Sequence, residues 1–229
     1  MKTPNLIILI LIFFFSSKVF SEQILNTELW LHRGQSYSKN LEEIFFKINK
    51  DRWKGVELDV YFSKNYRQFF ITHNHPLTND LPTLDDILYA KNKKLWLDLK
   101  NLSDIKFSDL KVLKEKLKYI GIKNQVFIES QNLLKLKFLQ DKNVNIIFNF
   151  PMIFENKIYL FLIKYLTKIF GFEYISISVN SFFKIKSYFK PHQFFLFTVN
   201  SNEKICELIS KQTVNVILTS INPKELKCK

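Results

Sequence analysis

Glycine is scarce in this chain, whose 229 residues include only four. Nucleotide-binding domains with an open, doubly wound parallel sheet hold phosphates in a glycine-rich loop directly after a strand. None of the strand-like runs here is followed by such a loop. A doubly wound sheet is therefore the less favoured of the two α/β folds that the strand pattern allows.

Cysteine is scarce too, with Cys206 and Cys228 as the only two. Neither directly follows the N-terminal apolar run, which excludes a lipid-modified cysteine at a cleavage point there. An even number of cysteines in an exported chain permits one disulfide. That bond would tie a late helix to the C-terminal tail, but two cysteines allow this pairing without requiring it.

The chain lacks a dense block of lysine and arginine with interleaved aromatic residues, although its formal net charge is +13. Nucleic-acid binding is therefore not expected. A dispersed basic surface can also meet anionic lipid. Residues 156–170 could form an amphipathic helix in contact with a membrane surface. An outer helix packed on a sheet is the favoured interpretation of the same pattern.

The N-terminal apolar run, residues 6–15, is too short for an ordinary membrane-spanning helix. Lys2 precedes it, and Ser21 ends the short stretch that follows it. A basic start, an apolar middle and small residues at the end are typical of a secretory signal peptide. We predict a cleaved signal peptide at residues 1–21, in preference to an uncleaved anchor. Residues 22–229 would form a single domain exported to the periplasm or secreted.

From residue 29 onward, strand-like apolar runs alternate with stretches of helical spacing. The main strands contain His32, Glu57, Asp98, Ile128, Ile147, Ile177, Phe197 and Ile217. Regular alternation of strands and helices implies a parallel sheet. Eight such units predict a closed (β/α)8 TIM barrel, an α/β fold, whose last helix is missing or reduced to the tail.

A further strand-like run, residues 68–73, follows the second main strand after only residues 63–67. A parallel return needs a crossover of a dozen or more residues, so these two strands must form an antiparallel hairpin. We interpret the second arm as a β-hairpin inserted after strand 2. If the turn lies near Asn65, simple pairing puts His73 beside Glu57.

Charged residues and a histidine interrupt three apolar strands near their C-terminal ends. Alternate residues of a strand share one face, so each polar pair points the same way. The functional site of a TIM barrel lies at this end of its strands. We expect one site to collect His32, Arg33, Glu57, Asp59, Asp98 and Lys100. The hairpin would add His73, which is favoured over His75 because His75 precedes Pro76 beyond the hairpin.

These side chains suit a phosphate bound beside a metal ion. The carboxylates of Glu57, Asp59 and Asp98 suit Mg2+ or Ca2+ better than Zn2+. Arg33 and Lys100 suit a phosphate group, and the two histidines suit a general acid and a general base. The alternative is a charge cluster without metal. Three acids exceed what two cations at fixed positions satisfy, which favours the metal.

The same residues resemble the motifs of the glycerophosphodiester phosphodiesterase-like superfamily. That family has His-Arg-Gly after the first strand, Glu-x-Asp on the second, a histidine in an inserted hairpin, and an acid-x-Lys strand. The corresponding stretches here are His32-Arg33-Gly34, Glu57-Leu58-Asp59, His73-Asn74 and Asp98-Leu99-Lys100. A looser similarity extends to Phe197-Thr198-Val199-Asn200 and to residues 217–223.

The resemblance implies a phosphodiesterase barrel acting on glycerophosphodiesters or (lyso)phospholipids. It implies that His32 and His73 are the acid–base pair. The metal ligands and phosphate contacts that it implies are Glu57, Asp59, Asp98, Arg33 and Lys100. The product, a hydrolysed monoester or a cyclic phosphate, stays open.

The chain also departs from the family pattern. Ser38-Lys39-Asn40-Leu41 stands where the family often has Pro-Glu-Asn-Thr, and Asn74 replaces a common Asp. Asp98 replaces a more common Glu, which resembles the sphingomyelinase D-type phospholipase D branch. Residues 95–101 and the neighbourhood of Glu129 resemble the menorin-like branch. The substrate is therefore less well defined than the reaction class.

The sequence leaves the role of Glu129 and the function class open. Glu129 is either a further site residue or a strand-end partner for a lysine. The alternative to a phosphodiesterase is a non-catalytic exported barrel that binds a phosphate ligand or a protein partner.

Overall fold

The computed structural model describes residues 27–151, 156–212 and 214–228. The predicted signal peptide, residues 1–21, lies outside the described residues. The described strands are β1 (Glu28–Leu31), β2 (Gly55–Ser63), β3 (Gln68–Ile71), β4 (Lys94–Leu99), β5 (Gln125–Ser130), β6 (Val144–Asn149), β7 (Tyr174–Ser178), β8 (Gln193–Phe197) and β9 (Val216–Thr219).

The described α-helices are α1 (Leu41–Asp51), α2 (Phe107–Lys123), α3 (Leu133–Leu139), α4 (Lys157–Phe170), α5 (Val179–Ile185) and α6 (Asn202–Lys211). Most begin at a short polar residue whose side chain accepts a hydrogen bond from a backbone N–H of the first turn. These N-caps are Asn40, Asn132, Asn156, Ser178 and Ser201. Across the part of the chain described, no helix combines the length and apolar character needed to cross a membrane.

The strands form a closed parallel barrel. β1 pairs with β9 and with β2, so the order β1-β9-β8-β7-β6-β5-β4-β2 returns to its start. The predicted (β/α)8 TIM barrel is therefore confirmed. No helix follows β9 within the described residues, and the tail is tied back by a disulfide between Cys206 of α6 and Cys228.

β3 is the inserted arm, and it pairs antiparallel with β2 outside the barrel. Ser63 lies opposite Gln68 and Val60 opposite Ile71, the last residue of β3. Extending this register would place His73 opposite Leu58. The predicted strand end, His73, is thus two residues too late. The predicted neighbour of His73, Glu57, is wrong by one residue. The strand ends early, and His73 lies in the loop that follows.

An aromatic layer fills the interior of the barrel below the site. Trp30 of β1 and Trp96 of β4 are fully buried there, and both pack edge-on against Phe195 of β8. Gly55 leaves room for Trp30, because a Cβ at residue 55 would lie 2.4 Å from the indole ring. This layer fills the barrel below the site, and the carboxylates of β2 and β4 lie above it, toward the C-terminal ends of their strands.

Candidate active site

Three carboxylates meet at the C-terminal end of two neighbouring strands. Glu57 and Asp59 lie on one face of β2, and Asp59 stands opposite Asp98 of β4. Each residue offers one ligand oxygen within 4.8 Å of the others. Glu57 and Asp59 are buried, while Asp98 is half-buried. The structure therefore brings together all three predicted metal ligands.

Two predicted phosphate-binding residues neutralise part of this negative charge. The Nζ atom of Lys100 lies 2.6 Å from Oδ1 of Asp59 and also pairs with Asp98. The Nε atom of Arg33 lies 3.5 Å from Oδ2 of Asp59. Burial alone would lower the pKa of Lys100, but the carboxylates of Asp98 and Asp59 raise it overall. Lys100 is therefore charged in this site.

Of the three carboxylates, Glu57 is the one whose negative charge the described side chains neutralise least. Its Oε2 accepts the backbone N–H of Arg33 at 2.8 Å, and no lysine or arginine side chain pairs with it among the described residues. Burial, reinforced by Asp59 and Asp98, raises the pKa of Glu57 well above its ordinary value. Three carboxylates facing two cations leave a negative charge in excess.

The donor set therefore fits a divalent cation. All three side chains supply oxygen ligands, which Mg2+ and Ca2+ prefer. Oδ1 of Asp59 is buried and, among the described residues, accepts no hydrogen bond of good geometry despite its ion pair with Lys100. A cation next to it and Glu57 would remove the excess charge that burial makes unfavourable.

The loop after β1 aims Arg33 into the cluster. Arg33 has φ 48° and ψ 61°, in the left-handed region that residues other than glycine rarely adopt. Gly34 follows because the loop is pressed against β2, and a Cβ at residue 34 would lie 2.5 Å from Cγ2 of Val56. The backbone N–H of Arg33 thereby points at Glu57, and its guanidinium reaches Asp59.

His32 lies directly after β1 and beside the carboxylates. Its Nε2 is 3.8 Å from Oε2 of Glu57 and 3.1 Å from Oγ1 of Thr198. Burial, followed by the charge of Arg33, lowers the pKa of His32 to about 4. The imidazole is therefore neutral at neutral pH and can accept a proton.

His73 reaches the site from the loop after β3 and is exposed. Its Nε2 lies 2.9 Å from an Nη atom of Arg33, and its Nδ1 lies 2.9 Å from Oδ1 of Asn74. Because a guanidinium can only donate, Nε2 accepts and Nδ1–H donates to Asn74. Asn74 thus supplies the acceptor oxygen that an aspartate would supply at this position.

His75 is placed elsewhere. Its ring packs edge-on against Tyr61, with ring centroids 5.5 Å apart, and the residue is exposed. Among the described contacts it makes none with the carboxylate cluster. The geometry therefore places His73, and not His75, next to Arg33.

Glu129 belongs to the floor of the site. It stands opposite Asp98 in the β4–β5 register and is 3% exposed. Its carboxylate accepts the hydroxyl of Ser176 at 2.8 Å and the side-chain N–H groups of Trp96 and Asn149. Burial, reinforced by Asp98, raises the pKa of Glu129 to about 8 despite these donors. Its described partners include no lysine, and it lies outside the three-carboxylate group.

Sequence reasoning missed two residues that contact the site. Gln35 donates from Nε2 to Oδ2 of Asp59 at 2.6 Å, and its Oε1 accepts the backbone N–H of Asp59 at 3.4 Å. Thr198 contacts His32. The only signals in the sequence were that Gln35 follows His-Arg-Gly and that Thr198 lies in a stretch similar to a family motif. Neither signal predicts that Gln35 contacts Asp59 or that Thr198 contacts His32.

No protein-family model matches this sequence, and no curated protein is significantly similar to it. The fold is similar to that of a glycerophosphodiester phosphodiesterase from Parabacteroides distasonis, with a TM-score of 0.65, 16% identity, and coverage of 87% of this chain and 95% of that one. A glycerophosphodiester phosphodiesterase from Agrobacterium tumefaciens gives a TM-score of 0.60, 12% identity, and coverage of 85% and 96%.

The fold is also similar to that of tryptophan synthase subunit alpha from Legionella pneumophila, with a TM-score of 0.54, 11% identity, and coverage of 85% of this chain and 80% of that one. The predicted glycerophosphodiester phosphodiesterase-like barrel is confirmed at the level of the fold. Because one barrel carries unrelated chemistries, the function must be argued from the site.

Proposed function

We propose that this chain is an exported, metal-dependent phosphodiesterase that cleaves glycerophosphodiesters or (lyso)phospholipids. One observation carries the proposal: two histidines and an arginine lie beside a group of three carboxylates at one end of the barrel. The four motifs in order and the similarity of the fold to glycerophosphodiester phosphodiesterases support it.

Glu57, Asp59 and Asp98 would hold the metal ion, Mg2+ or Ca2+. Such an ion, when bound, polarises a phosphoryl oxygen and offsets the negative charge that develops during cleavage. Arg33 and Lys100 would bind the remaining phosphate oxygens, because both can donate to them from charged groups. Arg33 can do so by turning away from His73, which frees Nε2 of that imidazole.

The two histidines would move the protons. His32 is neutral, so it takes the proton of the attacking hydroxyl group. His73 lies on the exposed side of the site, where its Nε2, once Arg33 has turned away, takes up a proton from solvent and delivers it to the leaving alkoxide. Attack by water gives hydrolysis, and attack by a hydroxyl group of the substrate gives a cyclic phosphate. Both reactions use the same acid–base pair.

Export rests on the predicted signal peptide and on the disulfide. The bond between Cys206 and Cys228 supports an oxidising compartment, because disulfides persist there and are rare in the cytosol. We propose the periplasm or the cell exterior as the place of action.

Phosphorus NMR with glycerophosphocholine and lysophosphatidylcholine tests the enzyme directly, since it resolves the leaving group and any cyclic product. We expect cleavage with Mg2+ or Ca2+ and none with a chelator. His32→Ala and His73→Ala should each lower kcat by about 100-fold or more, a typical contribution of a general acid or base. His75→Ala is the matched control, and its kcat should equal that of the wild type.

Two results would count against the proposal. Absence of cleavage in the wild type with either metal would favour the non-catalytic barrel, which predicts phosphate binding without turnover. Activity that survives both histidine substitutions would refute the catalytic assignment alone. A calorimetric metal titration of Asp59→Asn tests the carboxylate group, which should lose its metal affinity.

A further inference from the structure

Helix α4 has an apolar face that points away from the barrel. Its inner side is formed by Leu160, Ile163 and Thr167, which are buried. At about 100° per residue, the opposite side of the helix carries an uninterrupted set of aromatic and aliphatic residues. Their exposed fractions are 71% for Ile158, 68% for Phe161, 49% for Leu162, 53% for Tyr165 and 57% for Ile169. We call these five residues the outer face of α4.

Packing on the sheet explains the inner side of α4 but not its outer face. An outer barrel helix normally turns polar residues to water. Helix α1 does so, since Glu42, Glu43 and Lys50 are exposed and Phe46 is its only large exposed apolar residue. Exposed apolar residues of α2 are interspersed with exposed charged ones. The outer face of α4 contains no charged residue, and its single polar group is the hydroxyl of Tyr165.

The charge next to the outer face is of one sign. Lys157, Lys164 and Lys168 follow one edge of the helix, and residues 157–170 contain no acid. Phe161 and Tyr165 stack on that face with nearly parallel rings, 9° apart in orientation. With 14 residues, α4 is about 21 Å long, which is short of the ~30 Å core of a bilayer. A helix with aromatic and aliphatic residues on one side and lysines at its edge suits the plane of a membrane surface.

We propose that the outer face of α4 binds the surface of an anionic lipid bilayer. Its apolar side chains would enter the boundary between head groups and acyl chains, and the three lysines would contact lipid phosphates. α4 follows β6, and its first turn, with Ile158, begins toward the end of the barrel at which the strands terminate. The inference does not need the proposed enzyme activity. If both hold, the substrate is a phospholipid taken from the membrane surface.

Cosedimentation of the full chain with vesicles tests the proposal. The vesicles are phosphatidylcholine with and without phosphatidylglycerol. Phe161→Ser combined with Tyr165→Ser should weaken binding to the anionic vesicles by about tenfold or more, because burying such side chains contributes more than ~1.4 kcal/mol. Phe46→Ser on α1 removes a side chain that is 69% exposed and should leave binding unchanged.

Lys157→Gln with Lys168→Gln should weaken binding only to the anionic vesicles and reduce its dependence on salt. Three results would overturn the proposal: no vesicle binding by the wild type, equal binding by the Phe161/Tyr165 variant, or conversion of a wild-type dimer to a monomer by that variant. Cleavage of soluble glycerophosphocholine by the same variants keeps the two proposals separate. Cleavage by the variants should equal that of the wild type if α4 only binds membrane. Absence of cleavage by the wild type would contradict the proposed enzyme activity and leave the membrane proposal unaffected.

Discussion

Gln35 holds Asp59 through two hydrogen bonds. The side-chain nitrogen of Gln35 donates to the carboxylate at 2.6 Å, and its side-chain oxygen accepts the backbone N–H of Asp59 at 3.4 Å. The orientation of the fully buried Asp59 side chain therefore depends on a loop residue two positions after Arg33. Partners of this kind set the direction in which a ligating carboxylate points.

Replacing Gln35 with leucine should weaken metal binding. Leucine keeps most of the volume and removes both hydrogen bonds, so we expect a loss of about 10- to 100-fold in affinity for Mg2+ or Ca2+. Calorimetric titration measures it, with circular dichroism to verify the fold. Gln131→Leu is the matched control, because Gln131 is exposed and bonds to Asn149 rather than to a carboxylate. Wild-type affinity in Gln35→Leu would contradict this role.

Asn74 should be replaceable by aspartate but not by leucine. Nδ1–H of His73 donates to Oδ1 of Asn74 at 2.9 Å, and this bond keeps a proton on Nδ1 and directs Nε2 toward Arg33 and the site. Asn74→Leu removes the acceptor and should lower kcat by about tenfold or more. Asn74→Asp keeps an acceptor oxygen and should retain activity. The assay is phosphodiester cleavage with thermal melting as control. Similar losses in both variants would argue against this orienting bond.

The contribution of Glu129 to the free energy of unfolding should fall as the pH rises from about 5 to 8. Burial raises the pKa of Glu129 to about 8 in the folded chain, against an ordinary value of about 4.3. Between these values the unfolded chain binds fewer protons than the folded chain, so the free energy of unfolding decreases with rising pH. Below about pH 4 this contribution is fully present.

Glu129→Gln should make that decrease smaller. The amide does not titrate, although it gives up one of the hydrogen bonds that the carboxylate accepts, a loss that does not depend on pH. Urea unfolding of both proteins at pH 5 and pH 8 in chelator measures the difference between the two slopes. Equal slopes would show that Glu129 is ionised in the folded protein.

Gly34 should be more costly to replace than Gly171. A Cβ at residue 34 would meet Cγ2 of Val56 at 2.5 Å and Cγ2 of Ile44 at 3.0 Å. Overpacking of this kind costs about 1–3 kcal/mol in the free energy of unfolding. Gly171 has φ +70° with nothing within 4 Å of its Cβ position, so Gly171→Ala costs only its backbone strain, about 1–2 kcal/mol. Denaturant unfolding of the Gly34→Ala and Gly171→Ala variants measures both losses of stability, and equal losses would contradict the tight packing of the loop at Gly34.

Much of the site could be predicted because strand geometry is local. Alternate residues of a strand share a face whatever packs around it, so Glu57 with Asp59 and Asp98 with Lys100 were paired correctly from their spacing. Their arrival in one place followed from the prediction of a parallel barrel, in which all strands end at the same rim. The eight strands and the inserted hairpin were predicted for the same reason.

Contacts between distant segments could not be predicted in this way. Thr198 contacts His32, which lies 166 residues away in the sequence, and Glu129 accepts a hydrogen bond from Ser176, 47 residues away. These partners depend on the register between strands and on where each strand stops. An end of β3 at Ile71, two residues earlier than predicted, places His73 in a loop whose conformation no periodicity describes.

The sequence by itself determined the barrel, the hairpin and the charged residues that line one end, because period-two and helical spacing depend only on neighbouring residues. The tertiary structure decided how those charges are shared. It paired Lys100 with both Asp59 and Asp98, gave Glu57 no lysine or arginine partner among the residues that the structure describes, and turned one face of α4 outward. Charge balance and exposure depend on which segments meet in space, and only the folded chain brings those segments together.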